Sequence, residues 1–472
     1  MKLRSYLFPA IVSAIVLVGF RGEERPQYGG ALRVEIGASV SNLDPARTTL
    51  NAYERDAKTE LIPLVFETLV ALDGSGTPQP ALAISWDHDA TSRHWNFHLR
   101  PGIRFHDDAP LSAEIAAAAL ANPDMSWQIS TSADAVSIET SDPTPDLPYL
   151  LAEPRHALVH RAGDGALAGT GPFKITSWDP GKHALFTFNS NYWSGRPFLD
   201  AVDLTMGNTS QTRMIDLQLD KADLVELPPE FVRRAADDKL RTTVSVTTKL
   251  IALVFQMDRR TVQDPRIREA VARSIDRTSI VNFILQKQGE AAGGLLPQWL
   301  SGTAFLFSAP ADALATGKLS DEIKPAPALV LRYDSGDAID QAIAERIAVN
   351  ARGPGITITT RALPATQIGT DFDARLVRLQ FASPEPRAAL HDLLADLAPV
   401  SSKNAVPLPN PASAEEIYVR ERLALDDYVV VPIVHLPQIC GVGNRVRNWE
   451  IRAGSALGGW QLADVWVEGD AK

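Results

Sequence analysis

Among the residues able to do chemistry, the histidines come first. His94 and His98 share one face of an alternating stretch, and His106 follows closely. On a strand, positions i and i+4 lie about 13 Å apart, too far for two rings to hold one metal ion. They therefore read as a solvated face. The lone cysteine, Cys440, has no partner for an internal disulfide or a thiolate metal site. The chain contains no Gly-x-Ser-x-Gly elbow, no His-Glu-x-x-His helix and no Walker loop, and no lysine stands three residues after a serine. Gly163, Gly165 and Gly169 miss the dinucleotide-loop spacing by one residue. Glu114, Asp124 and Asp134 carry no pairing interval and read as surface charges. Arg375, Arg378 and Arg387 lie close together in sequence. Their planar guanidinium forks suit carboxylate or phosphate, so an anionic or neutral ligand is one expectation. Three solvated arginines on a strand edge is the other. The common nucleophile and metal motifs are missing, so binding is expected rather than catalysis, with no cofactor and no metal.

The scaffold for such a role is bounded by size and composition. At about 150 residues per domain, 472 residues suggest three lobes. A chain that is 45% hydrophobic and 22% charged is globular in composition and neither collagen-like nor a multi-span membrane protein. It is long enough to bury a core without staples. A net charge of −11 speaks against nucleic acid as a partner. Lys2 and Arg4 precede a charge-free run from Ser5 to Phe20, and charges resume at Arg21. That is the form of a secretory signal, and it is short of the roughly 20 apolar residues a membrane span needs. Leu17, Val18 and Gly19 begin like a lipoprotein box, but Phe20 stands where that box requires cysteine. The expectation is an exported chain, cleaved near residue 22 or held by an uncleaved segment, and not a Cys-anchored lipoprotein.

Periodicity locates the elements. A strand is expected at 29–36 after a glycine break, and helical spacing at 60–70. Trp95, Phe97 and Leu99 alternate with polar residues, then Pro101 and Gly102 turn the chain, then Ile103 and Phe105 alternate again; this reads as a strand pair over 94–106. Ser112 is placed to cap a helix. Residues 173–188 read as a hairpin. The continuous apolar run 250–257 reads as a buried strand. Asp264 with Pro265 opens a helix. Residues 328–333, 339–350 and 355–360 read as strand, helix and strand, a β-α-β unit. A helix over 413–427 and a buried strand over 428–434 follow.

Several motifs taken in order resemble one known family. They are Gly29-Gly30-Ala31-Leu32-Arg33-Val34 with Leu43-Asp44-Pro45; Val65-Phe66-Glu67-Thr68-Leu69; and Phe97-His98-Leu99-Arg100-Pro101-Gly102-Ile103-Arg104-Phe105-His106 before Pro110-Leu111-Ser112-Ala113-Glu114. Gly169-Thr170-Gly171-Pro172-Phe173, Asn191-Tyr192-Trp193, Asp264-Pro265-Arg266-Ile267-Arg268 and Leu462-Ala463-Asp464-Val465-Trp466 continue the series. Over about residues 27–468 the chain is similar to bacterial extracytoplasmic solute-binding proteins of the peptide/nickel ABC-transporter type.

The resemblance implies an α/β fold, periplasmic-binding-protein-like (type II, cluster C-like), with two lobes and an extra subdomain around a ligand cleft. The implied division is a signal or anchor segment 1–26, a discontinuous lobe I of 27–63, 168–247 and 440–472, a small subdomain 64–167, and a lobe II of 248–439. The implied role is a non-enzymatic receptor that captures a peptide-like or other small solute and delivers it to an inner-membrane ABC permease, working as a monomer. Two other readings are a degenerate sensor or scaffold without transport, and a metal or haem-chelate binder. Peptide binders of this family place an Asp where this chain has Phe381-Ala382-Ser383-Pro384-Glu385-Pro386. A buried amine without a carboxylate costs several kcal/mol, so amine capture in the usual manner is not expected here. The segment from Ala121 to Trp127 also replaces a longer helical insert. The candidate ligand residues are Asn42, Trp127, Phe255, Gln256, Phe381, Ser383, Glu385 and Arg387.

Overall fold

The computed structural model describes residues 25–47, 51–121, 127–161, 163, 165–307, 328–364, 367, 371–397, 412–451 and 457–469. The apolar N-terminal run and Asp124 lie outside the described residues.

The chain opens with β1 (Ala31–Glu35), which buries Leu32 and Val34. Helix α1 (Ala52–Val65) starts at Asn51, whose side chain accepts hydrogen bonds from the Tyr53 and Glu54 N–H groups. It stops short of the helical stretch expected to reach residue 70, because Phe66 is extended (φ −120°, ψ 143°). The chain returns against that helix end at Gly169 and Gly171, where an added Cβ would overlap the Val65 backbone.

The next elements are β2 (Ala83–His88), β3 (His94–Leu99), α2 (Ala113–Leu120), β4 (Gln128–Thr131) and β5 (Ala135–Glu139). The strands form a separate sheet in the order β2-β3-β5-β4. Here the strand pair expected over 94–106 is corrected. Both edges of β3 are taken, by β2 and β5, and the stretch after the turn makes only an isolated bridge from Arg104 to Pro110. Ser112 caps α2 as its position suggests, accepting from Ile115 N–H at 3.3 Å.

A hairpin of β6 (Phe173–Asp179) and β7 (His183–Phe188) leads to β8 (Ala201–Thr205), α3 (Ser210–Gln218) and β9 (Leu224–Glu226). Then come β10 (Arg241–Phe255), α4 (Pro265–Ser274), β11 (Ala328–Asp334), α5 (Ala338–Asn350), β12 (Thr357–Leu363) and β13 (Ala374–Gln380). Helices α6 (Pro386–Leu397) and α7 (Ala414–Leu425) precede β14 (Val430–Val442). One sheet runs β6-β7-β8-β1-β9-β14-β10-β13-β11-β12, with Glu290–Ala291 added to β14. β1 is parallel to β8 and β9, and β11 is parallel to β12 and β13. The antiparallel pair β10 and β14 joins these two parallel regions. Its register shifts between Val244 and Lys249, and from Lys249 onward β10 also takes β13 as a partner on its other edge.

The apolar side chains fall into distinct cores. One gathers Leu32, Leu61, Phe173, Leu204, Val442 and Trp460, from both ends of the described chain. We call the body around it the first lobe. Two adjoining cores, around Phe255 and Ile343 and around Phe381 and Leu393, make the second lobe. A fourth, around Phe97, Leu120 and Leu151, fills the subdomain.

Candidate functional site

Because β1 pairs in parallel with β8 and β9, all three strands end on the same side. Their carboxyl ends deliver Gly37–Ser39, Gly207–Ser210 and Glu226–Glu230 to the wall of a cavity of about 490 Å³. The carboxyl end of β11 delivers Asp334 and Gly336–Ile339 from the second lobe to the opposite wall. Open α/β sheets place ligands at such strand ends. The volume lies within the roughly 300–1,000 Å³ of small-molecule sites. Lys249 of β10 and Leu436–Ile439 of β14 line it from the crossing, and Asn51 and Tyr53 from the start of α1.

The charges on this wall are mostly committed to one another. Asp337 is the N-cap of α5, accepting from Ile339 N–H at 2.8 Å. The same carboxylate binds Arg378, which also reaches Asp340 at 3.2 Å and the Tyr53 hydroxyl at 3.1 Å. The Arg378 guanidinium lies 4.7 Å from the Tyr53 ring centroid, so one cation ties the two lobes. Burial works against the Arg378 charge, but Asp337, Tyr53 and Asp340 outweigh it and hold its value above the usual range. Burial raises Asp340 to about 7. Lys249 Nζ lies 3.1 Å from Asp56 and 3.9 Å from Glu60, neighbours on one face of α1. Burial pushes Glu60 up to about 8. Arg213 is buried beside Gly37, where a Cβ would stand 2.6 Å from its Nη1. It donates to the Glu226 carbonyl at 2.7 Å, to the Asn208 carbonyl and to Ser210 Oγ at 3.3 Å.

A second cavity of about 310 Å³ shares Tyr53, Asp334 and Arg378 with the first. It is lined by Arg55, Arg332 and Arg375 against Asp340 and Asp396. Arg375 Nε is buried with no hydrogen-bond partner among the described residues.

None of the eight residues named from the sequence lines the inter-lobe cavity. Phe255 and Phe381 are fully buried in the second lobe, and the Phe381 ring sits 5.9 Å from His435. Ser383 is buried too, its Oγ accepting from Glu385 N–H at 3.2 Å. Glu385 accepts from Ala388 N–H at 2.6 Å at the start of α6, and burial raises its carboxyl. Gln256 donates its N–H to the Asp373 carbonyl. Asn42 holds a turn, accepting from Asp44 N–H and Lys58 Nζ. Trp127 packs on His156 within the subdomain. Arg387 binds Asp146 of the subdomain at 2.7 Å. Of the three arginines expected to receive an anion, Arg378 and Arg387 are therefore already bound to carboxylates of the chain, and Arg375 lies in the second cavity. His94 and His98 pair with Asp89, Glu139 and Asp87 on an exposed face. Burial pulls His106 down to about 4.

Apart from Arg378, the residues that line the site went unnoticed because each looks local in sequence. Asp337 follows a strand and a Ser-Gly turn, as a helix cap does. Glu226 and Glu230 flank Leu227-Pro228-Pro229, as a strand exit does. Only the parallel pairing of β1 with β9 brings such positions together.

Residues 77–397 match the family model described as bacterial extracellular solute-binding proteins, family 5, middle region. The chain belongs to this family. It is 27% identical over 315 residues to di/tripeptide-binding protein 2 of Pseudomonas aeruginosa, covering 56% of this chain and 58% of that protein. It is 23% identical over 262 residues to the nickel-binding periplasmic protein of Escherichia coli, covering 49% of this chain and 50% of that one. The chain thus spans about half to three fifths of these two relatives. Among solved structures, the periplasmic binding protein DppA of Helicobacter pylori in complex with the peptide STSA superposes with a TM-score of 0.78 at 16% identity, covering 94% of this chain and 99% of that one. This family-5 solute-binding protein therefore has the periplasmic-binding-protein fold. Among its described residues no helix is long and apolar enough to cross a membrane, and no group of three or more His, Cys, Asp or Glu residues is placed to hold a metal ion.

Proposed function

We propose that the protein is a non-enzymatic, extracytoplasmic receptor that captures a small solute between its lobes and passes it to an inner-membrane ABC importer. The observation that carries this is the cavity walled by strand ends of both lobes, with the long pair β10 and β14 connecting them. The proposed bodies are lobe I of residues 27–63, 168–247 and 440–472, subdomain 64–167, and lobe II of 248–439. The separate apolar cores support that division. Ligand would stabilise the closed arrangement through its greater affinity for it. Names of relatives support a peptide-like solute, and the family supports export, a monomeric receptor and a permease partner.

The test is native mass spectrometry of protein purified from its source cells, followed by denaturation. One released small solute is expected, together with its loss from a Ser210→Trp variant that fills the cavity. Recovery of no solute, or equal recovery from the filled variant, would overturn the reading.

A further inference from the structure

Where β11 and β13 part, the sheet opens into the second cavity, of about 310 Å³. The two strands pair only at Leu331–Ala374 and Arg332–Arg375. Past that point Tyr333 and Asp334 line one side and Leu376–Leu379 the other, while Ala52, Tyr53 and Arg55 of α1 line it from the first lobe. Register partners project to one face of a sheet, so Arg332 and Arg375 stand side by side. Leu331, Tyr333, Ala374 and Leu376 fill the core on the other face. Like charges facing each other across two strands are destabilising. Burial, and then the Arg332 charge, pull the Arg375 guanidinium below its usual range. Arg55, Arg332 and Arg375 form no ion pair among the described residues.

The acids on this wall leave the excess of cations in place. Asp340 binds Arg378 at 3.2 Å, and Asp334 accepts from Gly336 N–H at 3.0 Å. Burial raises the Asp396 carboxyl, with Arg55 opposing it. Arg332 donates to the Pro364 carbonyl at 3.0 Å, whereas the Arg375 side chain has no hydrogen bond among the described residues. The buried side-chain atoms of this wall that lack a partner among the described residues, Arg375 Nε and Arg378 Nε, are both N–H donors. The neighbouring stretches of sequence, 48–50, 365–370 and 398–411, contain no Asp or Glu to neutralise the cations. Unmet donors beside unpaired guanidinium groups call for a guest that accepts hydrogen bonds and carries negative charge.

We propose that this second cavity binds a tetrahedral oxyanion, phosphate or sulfate, between Arg332 and Arg375 of the second lobe and Arg55 of the first. A carboxylate carries one negative charge and matches one guanidinium fork, whereas a tetrahedral dianion offers oxygens to several forks at once. The site adjoins the solute cavity through Tyr53, Asp334 and Arg378, which line both, and it is filled independently of the solute. An anion held there joins α1 to β11 and β13. On the receptor reading above, it therefore favours the closed arrangement.

The probe is inorganic phosphate, titrated calorimetrically into the full chain at constant ionic strength, with sodium chloride as the counterpart. Phosphate is expected to bind saturably and to raise Tm where chloride does not, and sulfate to compete with it. Affinity should fall about tenfold or more in Arg332→Gln/Arg375→Gln and severalfold in Arg55→Gln, through lost charge-assisted hydrogen bonds. Arg422→Gln on α7, outside the cavity, should bind phosphate as the parent does. Removing a repelled cation should leave Tm without phosphate unchanged or higher, whereas removing a structural cation lowers it; should the double variant fail to fold, Arg375→Gln alone is titrated. Native mass spectrometry of the protein with its solute in place is expected to show phosphate added to that complex. Three results would overturn the proposal: no saturable binding beyond that of chloride, affinity untouched by the arginine variants, or displacement of the solute by phosphate, which would make these cations part of the solute site. The receptor reading survives any of these if native mass spectrometry still recovers a solute that the Ser210→Trp variant lacks.

Discussion

Arg378 shows how one side chain links folding to closure. Its side chain is 9% exposed and serves Asp337, Asp340 and Tyr53, so it joins the α5 cap of the second lobe to α1 of the first. Replacing it with methionine keeps much of the volume but leaves two carboxylates facing each other in the interior. Removing one partner of a buried ion pair costs about 3–5 kcal/mol. Urea unfolding of Arg378→Met is expected to show a loss of that order, and adding Asp337→Asn and Asp340→Asn should recover most of it. A loss below about 1 kcal/mol would mean that the group is solvated as a surface pair is. From the sequence this arginine was singled out, but as an anion trap. The chain's own carboxylates come from a different element, and no local spacing announces them. Phe381 and Ser383 mislead in the opposite direction: a motif position fixed their place along the chain, while the turn made by Ser383 Oγ put both side chains inside.

Elements were more legible than side chains. The β11-α5-β12 unit, the β6-β7 hairpin and the apolar stretch of β10 all follow from periods of 2 and 3.6. What failed was pairing. The stretch 94–106 looks like a hairpin because its turn is local, but hydrogen bonds from β2 and β5 occupy both edges of β3. Likewise β10 begins at Arg241, well before its apolar run, because its first half pairs with the end of β14. Helix α7 was legible too, but neither its Ser413–Glu416 capping box nor what it holds was read from the sequence. Glu421 is fully buried on α7, and its Oε1 accepts from the N–H groups of Leu295 and Leu296. Burial raises its carboxyl to about 7. The folded state therefore binds this proton more tightly than the unfolded chain does. Stability from this group is full below about pH 4.5 and is lost as pH rises through about 7, with a total near 3 kcal/mol. Glu421→Gln keeps the acceptor and removes the titration. The difference in unfolding free energy between variant and parent is expected to grow in the variant's favour from pH 5 to pH 8. A constant difference would show that Glu421 titrates normally.

At the scale of the molecule, the lobes are held by more than the central tie. Arg387 of α6 meets Asp146 of the subdomain at 2.7 Å, and Arg155 of the subdomain meets Asp392 of α6 at 3.1 Å. Both pairs join the subdomain to the second lobe across long stretches of sequence. Such contacts exist only while the bodies are together, so they favour the closed arrangement before any solute arrives. Affinity scales with the fraction of molecules in the binding-competent state, and each such half-buried pair contributes about 1 kcal/mol. If solute enters through the open arrangement and is held in the closed one, weakening both pairs raises the solute's escape rate more than it slows capture. Arg387→Met combined with Asp392→Asn is therefore expected to enlarge the radius of gyration of the unliganded protein in small-angle scattering. It should also raise Kd for a bound solute by about tenfold, mostly through faster dissociation in stopped-flow measurements. An unchanged radius together with an unchanged off-rate would show that the central Arg378–Tyr53 contact alone sets closure.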